Sequence, residues 1–471
     1  MDFISRLHDS LLLQILSLLP ESDATRTCIL SNRWKNLWSL LPILHFVMPF
    51  CWTFEEANRF HDRVDQTLAL RGCMPIKRFY LYCSKHCDYD RVRYCIRNVV
   101  KCKVQDLEIR FPDDSFRFKF CWDLFKTCGS LVQLTLRGEF VLSVPDDVDV
   151  LFPCLKMINL VSIKYSCDEC FKNLISGCPV LEELYVERQI IGEVDNMESC
   201  MVISPSLKKL GLSFALSGEG DFRVVIDAPR LEYLNVVDVM STSYSLLTEP
   251  LSLTEAHLKL RNGVVQPVAP LVTCISNVKV LTLIDLALLA FNRIHDFNMP
   301  VFPNLIDFYI GLDVFRGWSM LPTFFNKMPN LEHITFLDGF LRFPHAQHTF
   351  TMRWNPPVEV PPCLRFKMKK IIIVNRETIT PKELKLIRYL LKHANHLEIL
   401  TMNAHKIDPK RREQCLKMIN LVSVLYLGDE CFKNLISGCP VLEELFVDRQ
   451  LIGLGGLTTK RSPLGGLGRK E

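Results

Sequence analysis

The sequence lacks any run of about 20 apolar residues, the length a helix needs to cross a bilayer. One of its longest apolar runs, Leu283 to Phe291, is broken by Asp285. No membrane association is expected. An excess of charge of either sign is also missing. Lys and Arg number 56 against 52 Asp and Glu, a net charge of +4. The basic residues are scattered among acidic ones, whereas nucleic-acid-binding domains concentrate them on one face, so no nucleic acid is expected as partner. A secretory leader is not expected either, because Asp2 opens the chain and Gln14 and Pro20 break the apolar run behind it. Gly-rich phosphate loops, zinc-protease helices and nucleophile elbows are missing too; Gly218 and Gly220 lack the partners such a loop requires. The reading is a non-enzyme with no cofactor.

Cysteine is plentiful but unordered. The 19 cysteines are odd in number and spread over the whole length, unlike a short secreted disulfide scaffold. They are expected to be reduced and mostly buried, as small hydrophobes. Cys167 and Cys170 stand at metal-ligand spacing, but no second pair follows at the distance a zinc site needs. Cys83, His86 and Cys87 form a denser group, with Cys73, Cys95 and Cys102 nearby. Without a pairing pattern they read as buried or surface thiols and hold no metal. A Cys–His nucleophile stays formally open. The basic run Lys410, Arg411 and Arg412 reads as a solvated helix end.

What is present is apolar periodicity. Hydrophobic residues make up 48% of 471 positions, enough for a large core and, on length, roughly two to four domains. At the N-terminus Leu11, Leu12, Ile15, Leu16 and Leu19 recur at helical spacing behind a capping Asp9 and are stopped by Pro20. Ser22 or Asp23 can cap a second helix through Ala24, Cys28 and Ile29. Ser31 can cap a third, carrying Arg33, Trp34, Leu37 and Trp38, ended by Pro42. Three short helices bury little surface alone, so such a unit leans on something else.

From Ile76 onward one signature recurs, an apolar residue at positions 1, 4 and 6. It begins at Leu131, Leu155, Leu181, Leu207, Leu231, Val278, Leu305, Leu331 and Leu397. This is leucine-rich-repeat grammar, in which a helical stretch leads into a short strand. The first residue packs beneath the strand and the later pair points into the core. One unit cannot bury its apolar side, so neighbours must stack into a solenoid. An ordinary α/β sheet is the alternative, and nine copies of one signature weigh against it. Residues 354 to 419 have a different texture: a strand from Met368 to Val374, a helix from Pro381 to Ala394, a strand from Leu397 to Met402 and a basic helix around Pro409 to Met418.

Residues 154–192 return as residues 415–453 with 32 identities over 39 positions, and Gly428 replaces Cys167. Packing demands similarity only at buried positions. Yet Lys172, Glu182, Arg188 and Gln189, read as surface residues, are matched by Lys433, Glu443, Arg449 and Gln450. Such identity points to recent duplication of a segment or to a misassembled reading frame. The tail, rich in Gly and basic residues, is expected to be disordered.

The N-terminal block from Ile4 through Leu7, Asp9, Leu11, Leu12, Ile15, Leu16 and Pro20 to Ala24, Cys28, Ser31, Trp34 and Trp38 resembles the F-box of the plant F-box/leucine-rich-repeat family. Pro361, Pro362, Cys363 and Leu364, with Leu390, Ala394 and Leu397, are similar to the C-terminal FBD pattern of one subgroup. The fold expected is α/β. A small three-helix F-box (1–45) precedes an irregular leucine-rich-repeat solenoid (76–345) and a C-terminal FBD-like α/β segment (354–418). The near-copy (415–453) and the tail (454–471) follow.

The resemblance implies substrate recognition within a Skp–cullin–F-box ubiquitin ligase, inside the cell in nucleus or cytoplasm. Its partners would be a Skp-type adaptor, through it a cullin, and an unidentified substrate protein. Adaptor contacts carried onto this chain are Leu7, Leu11, Leu12, Ile15, Leu16, Leu18, Leu19 and Pro20, with Trp34 and Leu37 behind or beside them. One departure stands out. The family has Pro where this chain has His8, which frees φ and keeps alive a second reading, an interaction scaffold whose F-box no longer binds.

Overall fold

The computed structural model describes residues 4–19, 21–48, 53–111, 119–121, 128–138, 140–143, 151–188, 197–214, 222–238, 243–260, 269–285, 287, 299–311, 317–337, 356–375, 381–404 and 444–447. Pro20, the helix expected around Pro409 to Met418 and the tail lie outside these residues. So does the copied block, apart from 444–447.

The chain opens with three short helices, α1 (Asp9–Ser17), α2 (Glu21–Arg26) and α3 (Asn32–Leu37). Two local readings change. His8, not Asp9, caps α1: its side chain accepts a hydrogen bond from the Ser10 amide, and Asp9 is already helical. The second helix does not run through Cys28. It tightens into a 3-10 turn at Thr27–Ile29, where the Thr27 hydroxyl donates back to the Ala24 carbonyl at 2.6 Å, a bond that competes with the α-helical ladder. Ser31 caps α3 as expected, accepting from the Trp34 amide.

Beyond them runs one 15-stranded sheet whose neighbouring strands all pair in parallel. Its first strand is Ile43–Val47, well before Ile76, and its last is Glu444–Val447, inside the copied block. The register lines the core residues into rows: Leu184, Leu210, Leu234, Ala256, Leu281, Phe308, Ile334 and Ile371 are successive partners, each at most 1% exposed. Five further strands carry the 1-4-6 spacing with other apolar residues. These begin at Leu41, Ile76, Val104, Leu253 and Met368, all buried.

Entry into the strands follows one pattern. A single carbonyl accepts the two amides that open the next strand: Lys156 from Glu182 and Glu183, Glu182 from Lys208 and Lys209, Lys208 from Glu232 and Tyr233. Glu332 and Lys369 do the same for Lys369–Lys370 and Glu398–Ile399. The FBD-like segment is therefore built as a continuation of the solenoid. Its strands, Lys370–Asn375 and Ile399–Ala404, lie in the same sheet.

On the core side the chain returns in two ways. Helices α4 (Phe54–Arg71), α5 (Tyr89–Lys101) and α6 (Asp168–Ser176) serve as returns, as do α7 (Ala269–Cys274), α8 (Gly317–Lys327), α9 (Pro362–Phe366) and α10 (Pro381–His393). Elsewhere the expected helix is replaced by a strand. Ser199–Ile203, Arg223–Asp227 and Ser243–Leu246 form one small parallel sheet, and Lys119–Cys121, Val141–Ser143 and Lys164–Tyr165 another. Cys200, Val202, Val224 and Ile226 alternate inward with period two, a strand pattern and not a helical one.

A single apolar core runs from Leu44 to Leu397. Arg71, 4% exposed, ties the helical unit to it. Its guanidinium donates to the carbonyls of Leu41 and Pro75, each at 2.5 Å, and of Met74 at 3.3 Å. Arg188, read as a surface residue, is buried, with its guanidinium 4.8 Å from the Phe222 ring centroid. Its position follows the inward phase of strand Glu183–Arg188. Among the described residues no helix is long and apolar enough to cross a membrane.

Candidate functional site

The helical unit has a small core of its own: Leu12, Leu16, Ala24, Trp34, Leu37 and Leu41, with Leu7, Leu13 and Trp38 packed partly against it. Asp9 is joined to Arg33 of α3 by contacts of 2.5 and 2.8 Å, and Arg33 also donates to the Leu7 carbonyl at 2.5 Å. Both charges are substantially exposed, so the pair orients the two helices more than it stabilises them. His8 has φ −65° and ψ 147°. That φ is the value a proline ring imposes, so losing the proline leaves the backbone where the family's proline would hold it.

The ten expected contact residues divide. Leu12, Leu16, Trp34 and Leu37 are at most 4% exposed and pack inside the unit. They are core, because one face of α1 is covered by α3. Leu7 is half-buried against the same cluster. Leu11, Ile15, Leu18 and Leu19 are 46%, 41%, 85% and 40% exposed. Leu11, Ile15 and Leu18 follow i, i+4, i+7, one face of the helix. Pro20 lies outside the described residues. The structure adds Ile4, Ile29 and Leu30 to the exposed set, at 54%, 83% and 63%. Ile29 ends the 3-10 turn that follows α2 and faces outward. Seven of the 22 large apolar residues exposed among the described residues thus fall between positions 4 and 30. Single exposed apolar residues are ordinary, whereas a concentration of them marks an interaction surface.

The outer face of the main sheet offers a second surface. Tyr185, Tyr233, His257, Tyr309 and His333 lie half-buried along it, with Tyr233 and His257 ring centroids 5.3 Å apart. Polar groups pair across its strands: Arg78 with Asp106 at 2.6 Å, Lys209 with Glu183 at 2.7 Å, and the His333 ring with the Asp307 carboxyl at 2.8 Å. At the strand entries Glu182 lies between Lys156 and Lys208, whose hydrogen bonds and charges hold its carboxyl below the ordinary range.

Of the cysteines with described side chains, ten of fourteen are buried. In the group around Cys87, a hydrogen bond with Cys83 and the nearby His61 draw the Cys87 thiol down to about 6. The same bond, with burial, pushes Cys83 up. Both cysteines are buried in the apolar core. Among the described residues no group of three or more His, Cys, Asp or Glu is placed to hold a metal.

Thin helical unit, exposed apolar face and stacked parallel repeats define the class: an F-box followed by a leucine-rich-repeat solenoid. Comparison with known proteins reaches the same architecture. Models of the F-box domain match residues 4–46, of the LRR repeats of the FBD-associated F-box protein At5g56370 residues 92–310, of FBD residues 355–402, and of a Leucine Rich Repeat residues 415–440. Among Arabidopsis thaliana proteins, F-box/FBD/LRR-repeat protein At1g80470 is 30% identical, over 88% of this chain and 90% of its own. F-box/FBD/LRR-repeat protein At2g04230 is 28% identical over 91% and 96%, and F-box/LRR-repeat protein 13 is 30% identical over 85% and 89%. The chain belongs to the plant F-box/FBD/leucine-rich-repeat family, whose domain make-up is that of a ubiquitin-ligase adaptor.

Proposed function

We propose that this chain is the substrate-receptor subunit of a Skp–cullin–F-box ubiquitin ligase and carries out no catalysis itself. The observation that carries the reading is the concentration of exposed apolar side chains on a unit whose own core holds six residues. Leu11, Ile15, Leu18 and Leu19, with Ile4, Ile29 and Leu30, form the face for a Skp-type adaptor. Pro20 belongs to the same stretch of sequence. Leu7, Leu12, Leu16, Trp34 and Leu37 act from beneath, holding that face in shape. The adaptor brings the cullin. The aromatic and histidine residues on the outer face of the sheet receive the substrate protein. A substrate lysine is then held near charged ubiquitin at high effective concentration, and the bond-forming step belongs to other subunits.

The site of action in this reading is intracellular, in nucleus or cytoplasm, where thiols stay reduced. Neither nucleic acid nor membrane has a part in this reading, in which outer-face cations such as Arg78 and Lys209 are paired with Asp106 and Glu183. A scaffold with an inactive F-box is disfavoured by the φ of His8.

Capture of purified adaptor and cullin by the immobilised full chain tests the proposal. Wild type should retain the adaptor, and the cullin only when adaptor is present. The double variant Ile15→Asp, Ile29→Asp should retain neither, with an unchanged circular dichroism spectrum. Equal capture by both would overturn the reading.

A further inference from the structure

Cys167 and Cys170 are used neither by the docking face nor by the repeat signature. Cys167 occupies the N-cap of α6 in an extended conformation, and its side chain makes no capping hydrogen bond. Cys170 follows three residues later, the spacing that brings two side chains to one side of a helix. Their sulfurs are 3.1 Å apart, and the Ser166 hydroxyl lies 3.0 Å from the Cys170 sulfur. A disulfide is about 2.05 Å long, so bonding requires a movement of about 1 Å, within reach of a side chain at a helix end. Cys170 is buried, but Cys167 is partly open to solvent. That separates this pair from Cys83 and Cys87, both closed off in the core. Among the described residues no third ligand is placed to make a metal site here.

We propose that Cys167 and Cys170 form a reversible intramolecular disulfide, with Cys167 as the entry point for a small disulfide oxidant of the glutathione type. The Cys167 thiolate attacks one sulfur of glutathione disulfide. The oxidant's S–S bond breaks, a mixed disulfide forms and one glutathione leaves as a thiolate that takes up a proton. Cys170, losing its proton, then attacks the Cys167 sulfur and displaces the second glutathione. Two protein thiols lose two electrons and two protons, and the oxidant disulfide becomes two thiols.

The hydrogen bond with Cys170, and partial burial, hold the Cys167 thiol above its ordinary range. Cys167 therefore favours its protonated form, and exchange runs through its thiolate minority. The bond would lock the turn that joins a helical return to a strand return. Asp168, between the two cysteines, accepts from the amides of Glu198 at 2.8 Å and Ser199 at 3.2 Å, and from the Ser199 hydroxyl at 2.6 Å. Only a short loop is closed, so the entropic gain in stability is small. The mark of the bond is chemical protection of the two sulfurs.

The test uses the full chain, equilibrated in glutathione buffers from reducing to oxidising, acid-quenched, alkylated and mapped by mass spectrometry. The peptide holding Cys167 and Cys170 should lose both alkyl labels and become two hydrogens lighter, and dithiothreitol should restore it. Cys170→Ser should trap glutathione on Cys167. The matching peptide around Cys431, with Gly428 in place of the first thiol, cannot lose two hydrogens in this way and serves as control. Full alkylation of Cys167 and Cys170 in the most oxidising buffer would overturn the proposal. So would the absence of glutathione on Cys167 in Cys170→Ser.

Discussion

Leucine plays opposite parts in the two regions of this molecule. In the solenoid every leucine of the repeat signature with a described side chain is buried, and the row from Leu184 to Leu281 runs on across strands. In the helical unit Leu12 and Leu16 are buried while Leu11 and Leu18, one or two positions away, face outward. The solenoid adds repeats until its apolar side is covered. The F-box is too small to do so and keeps a surplus. An apolar pattern thus shows that burial is needed, and the size of the unit decides whether its own chain or a partner supplies it.

Deleting side chains from each core should break this contrast most visibly. Leu210→Ala removes a fully buried side chain between two strands that cannot close the gap. Unfolding in urea should lose about 2–5 kcal/mol. Leu12→Ala, in a thin core that can collapse, should sit near the lower end of that range. Arg71→Met tests the joint between the regions. It leaves the Leu41, Met74 and Pro75 carbonyls without their cation, and stability should fall by about 2 kcal/mol. Hydrogen exchange should rise first in α4 and the strand Ile43–Val47. The smallest effect belongs to His8→Pro. The observed φ of −65° suits proline, so differential scanning calorimetry should find the variant unchanged or more stable by up to about 1 kcal/mol. A clear loss would show that the His8 cap matters more than its backbone angle.

Much of the solenoid was legible because its signature couples sequence spacing to burial. Leu131, Leu134 and Leu136 could hardly be arranged otherwise. The copies starting at Leu41, Ile76, Val104, Leu253 and Met368 keep the same spacing, and their residue types do not set them apart from the copies with Val278, Phe308 or Ile334. The first of them is why the sheet begins at Ile43. The return segments were harder. Ser199–Ile203 and Arg223–Asp227 are too short for period two to stand out, and their pairing is with each other. At the docking face the apolar stripe was visible, but its division was not. Which side of α1 is covered depends on where α3 lies, a long-range contact that spacing within α1 does not encode. Ile29 and Leu30 lie in and just after the 3-10 turn that ends the second helix, where the apolar spacing of that helix does not place them.

The central claim is that the exposed half of this stripe docks and the buried half only supports it. Leu18, 85% exposed, tests it most directly when adaptor affinity and unfolding free energy are measured together for wild type and Leu18→Asp. Titration calorimetry should show affinity falling by about 30-fold or more, the scale of a binding hot spot. Stability should stay within about 0.5 kcal/mol of wild type. Unchanged affinity in a folded Leu18→Asp protein would contradict the account.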